Sequence, residues 1–334
     1  MSTLCICVLH LNQIGDLVFS LPLLKALKAH FPGARVHSVL KPHLAALLDD
    51  SPFVDAVIPR RAGLRARLEL LRTIRKNRYD LLISLPRSEE ALALATLSRA
   101  GVKAGFSRPF WDLALDVTAR TKGHPGWVNN RSLLHKLGIP VVTDDYVGLL
   151  SCQSWTYSGD LPERFAVFAP CASGRRQTKT WGDEKFADVM FRLARDQGLL
   201  PVLVGAPADI PANQSIEELT LAKGLQRSEI LNLTGKVDLK ELCVVLQNAR
   251  LVVGIDSGVS HLASSLDKPL VVLFGPTDPA FVGPQNKNSV IVRHADIPCV
   301  PCYLKKCSHR MCMDAITVDE VEHASRSVLD SGLS

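Results

Sequence analysis

Short apolar runs alternate with amphipathic segments along most of the chain, and this alternation limits the fold more than any other feature. Leu4–Leu11 and Val36–Leu40 are typical of buried strands, and Leu17–Ala29 between them has the apolar spacing of a helix. The same rhythm predicts strands at 81–85, 165–169, 200–204, 230–233, 251–254 and 270–274, and helices at 183–196, 212–223, 239–248 and 259–266. Strands that alternate with helices form parallel sheets, so the sequence predicts an α/β protein.

The chain has 334 residues, a length that predicts two domains. The pattern blurs between 109 and 143 and restarts at 165, so we expect one domain at 1–152, a linker at 152–159 and a second domain at 160–334. Hydrophobic residues make up 47% and charged residues 22%, which excludes a disordered or fibrous protein. The sequence shows no apolar run of membrane-spanning length and no signal peptide, so we expect a cytoplasmic protein.

The excess of positive over negative charge is confined to the first half of the chain. Residues 1–151 carry 20 Lys and Arg against 12 Asp and Glu, a net charge of +8, and the remainder has a net charge of −2. The Arg-rich stretch 59–80 favours an anionic partner, or it is the solvated face of a helix whose apolar stripe is Leu64, Leu68, Leu71 and Ile74. Aromatic residues make up only 6% of the chain, and the sequence contains no recognisable motif of a nucleic-acid-binding domain. Both observations argue against nucleic-acid binding.

The loop after the first predicted strand, Asn12 to Asp16, leads directly into a helix. Asp16 is placed as an N-cap whose carboxylate accepts amide hydrogens of the first turn. A carboxylate at the end of a strand, beside a cleft between domains, is equally suited to act as a general base. Both interpretations stay open at this point.

Two loops in the second half are candidate anion sites. Gly254 to His261 opens a helix with small residues, so free amide hydrogens and the helix dipole favour a phosphate there. For Ser257 the alternative is a helix cap, and for His261 a surface or core histidine. Pro170 to Trp181 combines small residues with three cations before a helix, the alternative being a basic surface loop. Two anion sites in one domain predict a diphosphate ligand, although neither a G-x-G-x-x-G nor a P-loop motif is present.

Several of these segments together resemble glycosyltransferase family 9, the ADP-heptose:lipopolysaccharide heptosyltransferases. The resemblance lies in Ile14 to Asp16 followed by Leu21-Pro22 and Phe31-Pro32, in Lys179-Thr180-Trp181 leading to Phe186-Ala187, and in the stretch from Asp256 through His261-Leu262-Ala263 to Pro279. These motifs occur in the order and spacing of the family and span most of the chain. The resemblance implies a GT-B fold, in which two Rossmann-like domains with parallel sheets face each other.

The resemblance also implies an activity and a set of roles. It implies inverting, metal-independent transfer of heptose from ADP-heptose to the inner core of lipopolysaccharide, with no cofactor for catalysis. The first domain would bind the acceptor and the second the donor. Asp16 matches the general base of the family, and Lys179 would stabilise the departing ADP. The remaining donor contacts would be Ser173, Asp209, Asp256, Ser257, Gly258, His261 and Thr277. The acceptor contacts would be Arg60, Arg61 and Arg65.

An anionic lipid acceptor further implies peripheral association with the cytoplasmic face of the inner membrane.

Two positions depart from the family pattern. Cys171 stands where many members have a small residue, and the loop at Asp209 lacks the acidic cluster often found there, which weakens the assignment of Asp209 to a ribose hydroxyl. The alternatives to heptose transfer from ADP-heptose to lipopolysaccharide are the same fold with another nucleotide-sugar donor or with a protein acceptor, or a non-catalytic protein that binds nucleotide sugars.

Four cysteines lie close together near the C-terminus, at Cys299, Cys302, Cys307 and Cys312. Thiolates at short spacing suit a tetrahedral structural site, so the segment predicts zinc or iron, with reduced thiols or disulfides as the alternatives. Some family members carry a similar segment, and related autotransporter heptosyltransferases hold iron through cysteines. Four protein ligands leave no open coordination position, so such a metal would be structural.

Overall fold

The structure is a computed structural model that describes residues 3–121, 123, 125–141, 143–172 and 177–331. The described chain divides into two compact units, Met1–Ser151 and Cys152–Ser334. The stretch 152–159, expected to be a linker, forms the first residues of the second unit. No helix in the described ranges is both long enough and apolar enough to span a membrane.

The first unit is built on a parallel sheet with helices between its strands. Its strands in the described residues are β1 (Cys5–Leu9), β2 (Arg35–Leu40), β3 (Ala56–Pro59), β4 (Leu81–Ser84), β5 (Val102–Phe106) and β6 (Val117–Ala119). Its helices are α1 (Ile14–Val18), α2 (Leu21–His30), α3 (Pro42–Ala45), α4 (Leu64–Asn77), α5 (Glu89–Leu97) and α6 (Gly126–Lys136). The strand order is β3-β2-β1-β4-β5-β6, and every pair is parallel.

The second unit repeats this architecture. Its described strands are β7 (Phe165–Ala169), β8 (Leu200–Leu203), β9 (Leu231–Asn232), β10 (Leu251–Ile255), β11 (Leu270–Leu273) and β12 (Ser289–Val292). Its helices are α7 (Asp183–Gln197), α8 (Ile210–Ala222), α9 (Leu239–Asn248), α10 (Gly258–Ser265), α11 (Pro279–Val282), α12 (Met311–Asp314) and α13 (Val318–Ser331). The strand order is β12-β11-β10-β7-β8-β9, again all parallel.

The two sheets share one topology, because in each unit the first three strands run outward in one direction and the last three in the other. The strand order therefore reverses between β1 and β4 in the first unit and between β7 and β10 in the second. Ligands of open parallel sheets bind beyond the carboxyl ends of the strands at such a reversal. The predicted α/β class with two parallel sheets is confirmed.

Helix α4 differs from the apolar stripe predicted for the Arg-rich stretch. Ile74 is buried as expected, and Leu70 is buried with it, whereas Leu64 and Leu68 are 73% and 47% exposed. The buried pair packs in a core cluster with Tyr79 and other residues of the sheet and of α5. Only the C-terminal half of the helix therefore covers the sheet, and the predicted stripe is wrong for its N-terminal half.

Candidate functional site

Four of the predicted donor-site residues meet at the strand reversal of the second unit. Lys179 ends a 3₁₀ turn (Gln177–Lys179) in the loop after β7, and Asp256 follows β10 directly. Thr277 lies in the loop after β11, and His261 is on the first turn of α10. All four are buried. The sheet topology brings them together, because β10 is hydrogen-bonded to both β7 and β11.

The carboxylate of Asp256 is the centre of this cluster. The Lys179 ammonium donates to Oδ2 of Asp256 in a buried ion pair and to its backbone carbonyl at 3.2 Å. The Thr277 hydroxyl donates to the same Oδ2 at 2.6 Å. Nε2 of His261 lies 3.6 Å from the other carboxylate oxygen, Oδ1. Both oxygens of Asp256 are thus engaged by protein groups.

These contacts decide the charge of the cluster. Burial on its own would raise the pKa of Asp256, but the hydrogen bond from His261 and the positive charge of Lys179 outweigh it. The pKa of Asp256 is therefore held well below its usual range, and the carboxylate is ionised at neutral pH. Its contacts favour a role in orienting Lys179 and His261, because a fixed anion with both oxygens engaged would repel a diphosphate.

The start of α10 provides a second kind of anion contact. Ser257 is the N-cap residue, with φ −148° and ψ 171°, but its side chain makes no cap hydrogen bond. Its Oγ atom is buried and has no hydrogen-bond partner within the described parts of the chain. Gly258 is the first residue of the helix, whose leading amide groups have no intrahelical acceptor. A hydroxyl and amide donors at a helix start suit a phosphate oxygen.

Asp209 does not join this cluster in the structure. Oδ2 of Asp209 accepts the backbone N–H of Ala206 at 2.8 Å, so one oxygen closes the turn after β8, and burial raises the pKa of this carboxyl. Ser173 lies outside the described residues.

Burial, with smaller contributions from Asp209 and Asp183, raises the pKa of the Cys171 thiol to about 12. Cys171 is therefore a neutral thiol, directed at the amide oxygen of Asn213 at 3.7 Å.

In the first unit, Asp16 is half-buried on the first turn of α1, beyond the end of β1. The N-cap residue is Gln13, with extended dihedral angles, so the N-cap interpretation of Asp16 is wrong. A carboxylate on the first turn still lies at the positive end of the helix. Its position at the strand reversal of this sheet is the one in which a ligand is expected.

The three arginines predicted to bind the acceptor have different environments. Arg60 is only 8% exposed, and its guanidinium donates to the side chain of Asn12, in the loop that precedes Asp16. Arg60, which directly follows β3, therefore connects this strand to the loop that precedes Asp16. The sequence did not reveal this contact. Arg61 and Arg65 are exposed, and Arg65 forms a surface ion pair with Glu69 at 3.1 Å. Of these three arginines, Arg61 and Arg65 present a guanidinium at the surface.

The loop after β1 is also held by a histidine that the sequence did not single out. His10 is fully buried, and its ring nitrogens lie 3.0 Å from the hydroxyls of Ser20 and Ser38. Burial and the nearby charge of Arg60 lower the pKa of His10 to about 3, so the ring is neutral. It connects the end of β1 to β2 and to the start of α2.

All nine cysteines lie in the described part of the chain and are free thiols. Burial, with smaller contributions from Cys299 and Cys302, raises the pKa of the Cys312 thiol. Backbone N–H groups of His309 and Arg310 lower the pKa of Cys307. Across the described residues, no three Cys, His, Asp or Glu side chains are grouped as metal ligands. This arrangement does not fit an assembled metal centre, and the structural zinc or iron stays a prediction.

Comparison with known proteins identifies the family. The model of glycosyltransferase family 9 (heptosyltransferase) matches residues 67–312. The chain belongs to this family. It is 25% identical to lipopolysaccharide heptosyltransferase 3 of Escherichia coli, over 95% of this chain and 97% of that protein.

Solved structures of the same family confirm the fold. The ADP-heptose lipopolysaccharide heptosyltransferase II of E. coli superposes with a TM-score of 0.81 at 22% identity, over 99% of this chain and all of that one. The E. coli heptosyltransferase WaaC with ADP superposes with a TM-score of 0.77 at 24% identity, over 97% of this chain and all of that one. The predicted GT-B fold class is confirmed, and the protein is a glycosyltransferase of the heptosyltransferase family.

Proposed function

We propose that this protein transfers heptose from ADP-heptose to the inner core of lipopolysaccharide, with inversion at the anomeric carbon and without a catalytic metal ion. The donor follows the names of the similar proteins, which are ADP-heptose and lipopolysaccharide heptosyltransferases. The observation that carries the proposal is the buried cluster of Lys179, Asp256, His261 and Thr277 beside the start of α10. This cluster has the chemistry needed to bind a nucleoside diphosphate.

The second unit would stabilise the leaving group. When the bond between the anomeric carbon and the phosphate oxygen breaks, the electron pair stays on ADP, and its β-phosphate gains negative charge. Lys179, the hydroxyl of Ser257 and the first amides of α10 supply positive charge and hydrogen-bond donors for that oxygen. Lys179 is held in place before the reaction by Asp256, so little reorganisation of its charge is required. The same groups take the role that a divalent cation has in metal-dependent transferases.

Asp16 would act as the general base. A sugar hydroxyl is a weak nucleophile until its proton is removed, and a carboxylate at the end of a parallel strand is suited to accept it. The acceptor oxygen then forms the new bond to the anomeric carbon on the face opposite the leaving ADP, which inverts the configuration. Asp16→Asn should therefore bind ADP with unchanged affinity and lose most of its turnover. A loss of ADP affinity in this variant would contradict the assignment.

The acceptor would be an anionic glycolipid at the cytoplasmic face of the inner membrane. The first half of the chain has a net charge of +8, and Arg61 and Arg65 are exposed at its surface. Each cation near an anionic membrane contributes about 1 kcal/mol. The protein should sediment with vesicles that contain anionic lipid at low salt and be released at high salt. Equal sedimentation with neutral and anionic vesicles would contradict this proposal.

The test of donor identity is a thermal-shift titration with ADP, UDP, GDP, CMP and ADP-heptose, with EDTA present throughout. A ligand at a hundred times its Kd stabilises the native state by about 2.7 kcal/mol. We expect stabilisation by ADP and ADP-heptose only. Preference for another nucleotide would keep the fold and change the donor, and no response to any nucleotide would favour a protein that has lost catalysis.

Two neighbouring serines provide matched variants for this titration. The Ser257 hydroxyl has no partner among the described residues, whereas the buried Ser260 hydroxyl donates to the carbonyl of Ile255 at 2.7 Å. Ser257→Ala should leave the stability of the free protein unchanged and weaken ADP binding about tenfold. Ser260→Ala should instead cost the free protein about 1 kcal/mol of stability. Unchanged ADP affinity in Ser257→Ala would mean that the phosphate does not bind at the start of α10.

A further inference from the structure

The cysteine-rich segment, residues 299–312, contacts the loop of Lys179 from both sides of that lysine. The Thr178 hydroxyl donates to the carbonyl of Leu304 at 2.9 Å. The guanidinium of Arg310 donates to the hydroxyl of Thr180 at 2.9 Å and lies 3.4 Å from its carbonyl. The residues immediately before and after Lys179 are therefore both hydrogen-bonded to this one segment.

The same segment also contacts the loop that carries Thr277. The backbone N–H groups of Cys302 and Tyr303 donate to the carbonyl of Pro276 at 3.0 and 2.9 Å. At Gly275, an added Cβ would lie 2.4 Å from the sulfur of Met313, so the chain after the segment packs directly on this loop. The cysteine-rich segment thus joins the two loops whose side chains meet at the Asp256 carboxylate.

Arg310 is the residue through which this connection reaches Lys179. Its backbone is in the left-handed region, with φ +44°, and its N–H donates to the sulfur of Cys307 at 3.4 Å. This turn directs the guanidinium toward Thr180. A second guanidinium nitrogen lies 3.5 Å from the carboxylate of Asp314, which holds the side chain from its other side.

We propose that Arg310 is a positioning residue for Lys179. It fixes the backbone at Thr180, and through it the ammonium that would meet the diphosphate. A lysine side chain has four rotatable bonds, so its charge is placed accurately only when the backbone on both sides is held. This inference rests on the proposed function of Lys179 in binding and releasing ADP.

The test is a double-mutant cycle measured as the rate of ADP release from ADP-heptose and as ADP affinity. Misplacement of a reacting group by about 1 Å costs on the order of a hundredfold in rate. We expect Arg310→Ala and Thr180→Val each to lower kcat by about tenfold. Combined, they should lower it no further than Arg310→Ala alone, because Arg310→Ala already removes the hydrogen bond that Thr180→Val removes. In the Lys179→Ala background, Arg310→Ala should have no additional effect.

Arg326 provides the matched control, since it is an exposed arginine of the same unit that pairs with Asp196 and Glu322. Arg326→Ala should leave kcat and ADP affinity unchanged. If Arg310→Ala lowers kcat equally with and without Lys179, or does not lower it at all, Arg310 does not act through Lys179. If Lys179→Ala itself changes neither kcat nor ADP affinity, the proposed function of Lys179 fails, and the positioning role fails with it. The Arg310 and Thr180 cycle keeps Lys179, so losses that simply add in this cycle would overturn the proposal even if Lys179→Ala does not fold.

Discussion

Replacement of Lys179 by methionine tests whether the buried ion pair with Asp256 exists in the free protein. The side chains of Lys179 and Asp256 are 10% and 5% exposed. Methionine fills most of the aliphatic space but leaves the carboxylate buried without its cation. Loss of one partner of a buried pair costs about 3–5 kcal/mol. Thr277 and His261 still contact the carboxylate, so we expect the lower end of this range, about 3 kcal/mol.

The assay is urea unfolding of the full chain at pH 7. Because the folded pKa of Asp256 is lowered, its contribution is fully present at this pH and is lost only as the pH falls below the unfolded value near 3.8. In a unit of 150–250 residues, 3 kcal/mol corresponds to a fall in Tm of about 6–12 °C. Asp256→Asn added to Lys179→Met removes the uncompensated charge and should restore at least half of the lost stability.

A surface ion pair of the same unit provides the control. Lys223 lies 2.6 Å from Asp188, but these side chains are 31% and 37% exposed. Lys223→Met should therefore cost less than about 1 kcal/mol. Two results would refute the reasoning. One is a stability of Lys179→Met equal to that of Lys223→Met. The other is a double variant, Lys179→Met with Asp256→Asn, whose loss of stability equals the sum of the losses in the two single variants. Either would mean that Lys179 and Asp256 are not coupled in the folded protein.

Four further variants test the environments of other residues. The pKa of His10 is lowered to about 3 in the folded protein. Below pH 6.5 the unfolded state therefore binds a proton at this histidine that the folded state does not bind. Stability should fall by up to about 1.4 kcal/mol per pH unit there, and His10→Gln should flatten this part of a urea-derived stability curve. Gly275→Ala places a Cβ against Met313 and should cost about 1–3 kcal/mol, with an unchanged Tm as the contrary result. Arg60→Ala should lower stability by about 1–3 kcal/mol and Arg61→Ala by less than 0.5 in the same urea assay; equal losses would contradict the burial difference.

The sequence predicted the strands nearest the middle of each sheet, because strands buried on both faces carry no polar interruption. It also predicted β9, but it missed β3, β5, β6 and β12, which lie toward the edges of the sheets. It failed where polar residues or proline determine the boundary. The helix expected at Leu17–Ala29 is two helices, α1 and α2, since Pro22 lies in the first turn of the second. Helix α13 was missed, although Thr317 and Glu320 cap its start reciprocally, which is a recognisable sequence pattern.

The candidate site could be predicted only as separate loops. Local sequence identifies Lys179 and Asp256 as polar residues that follow strands, but they are 77 positions apart in the chain. Their contact depends on the pairing of β7 with β10, and strand order is not encoded in the local pattern. For the same reason the sequence suggested Arg60 as an acceptor contact, whereas the structure buries it against Asn12, in the loop after β1. The contacts of Arg310 depend on a turn with no apolar period to reveal it.

The repeated topology explains where the polar residues lie, but it does not explain their chemistry. In each sheet they follow strands that flank the reversal of strand order, where the connecting helices diverge and leave a crevice. The first sheet places a single carboxylate, Asp16, on the first turn of a helix. The second places an ammonium, fixed by a buried carboxylate, beside the first amides of another helix. A carboxylate accepts a proton, whereas a cation and a helix start accept negative charge, so the proposed division between general base and leaving-group stabilisation follows from the loops and not from the sheets.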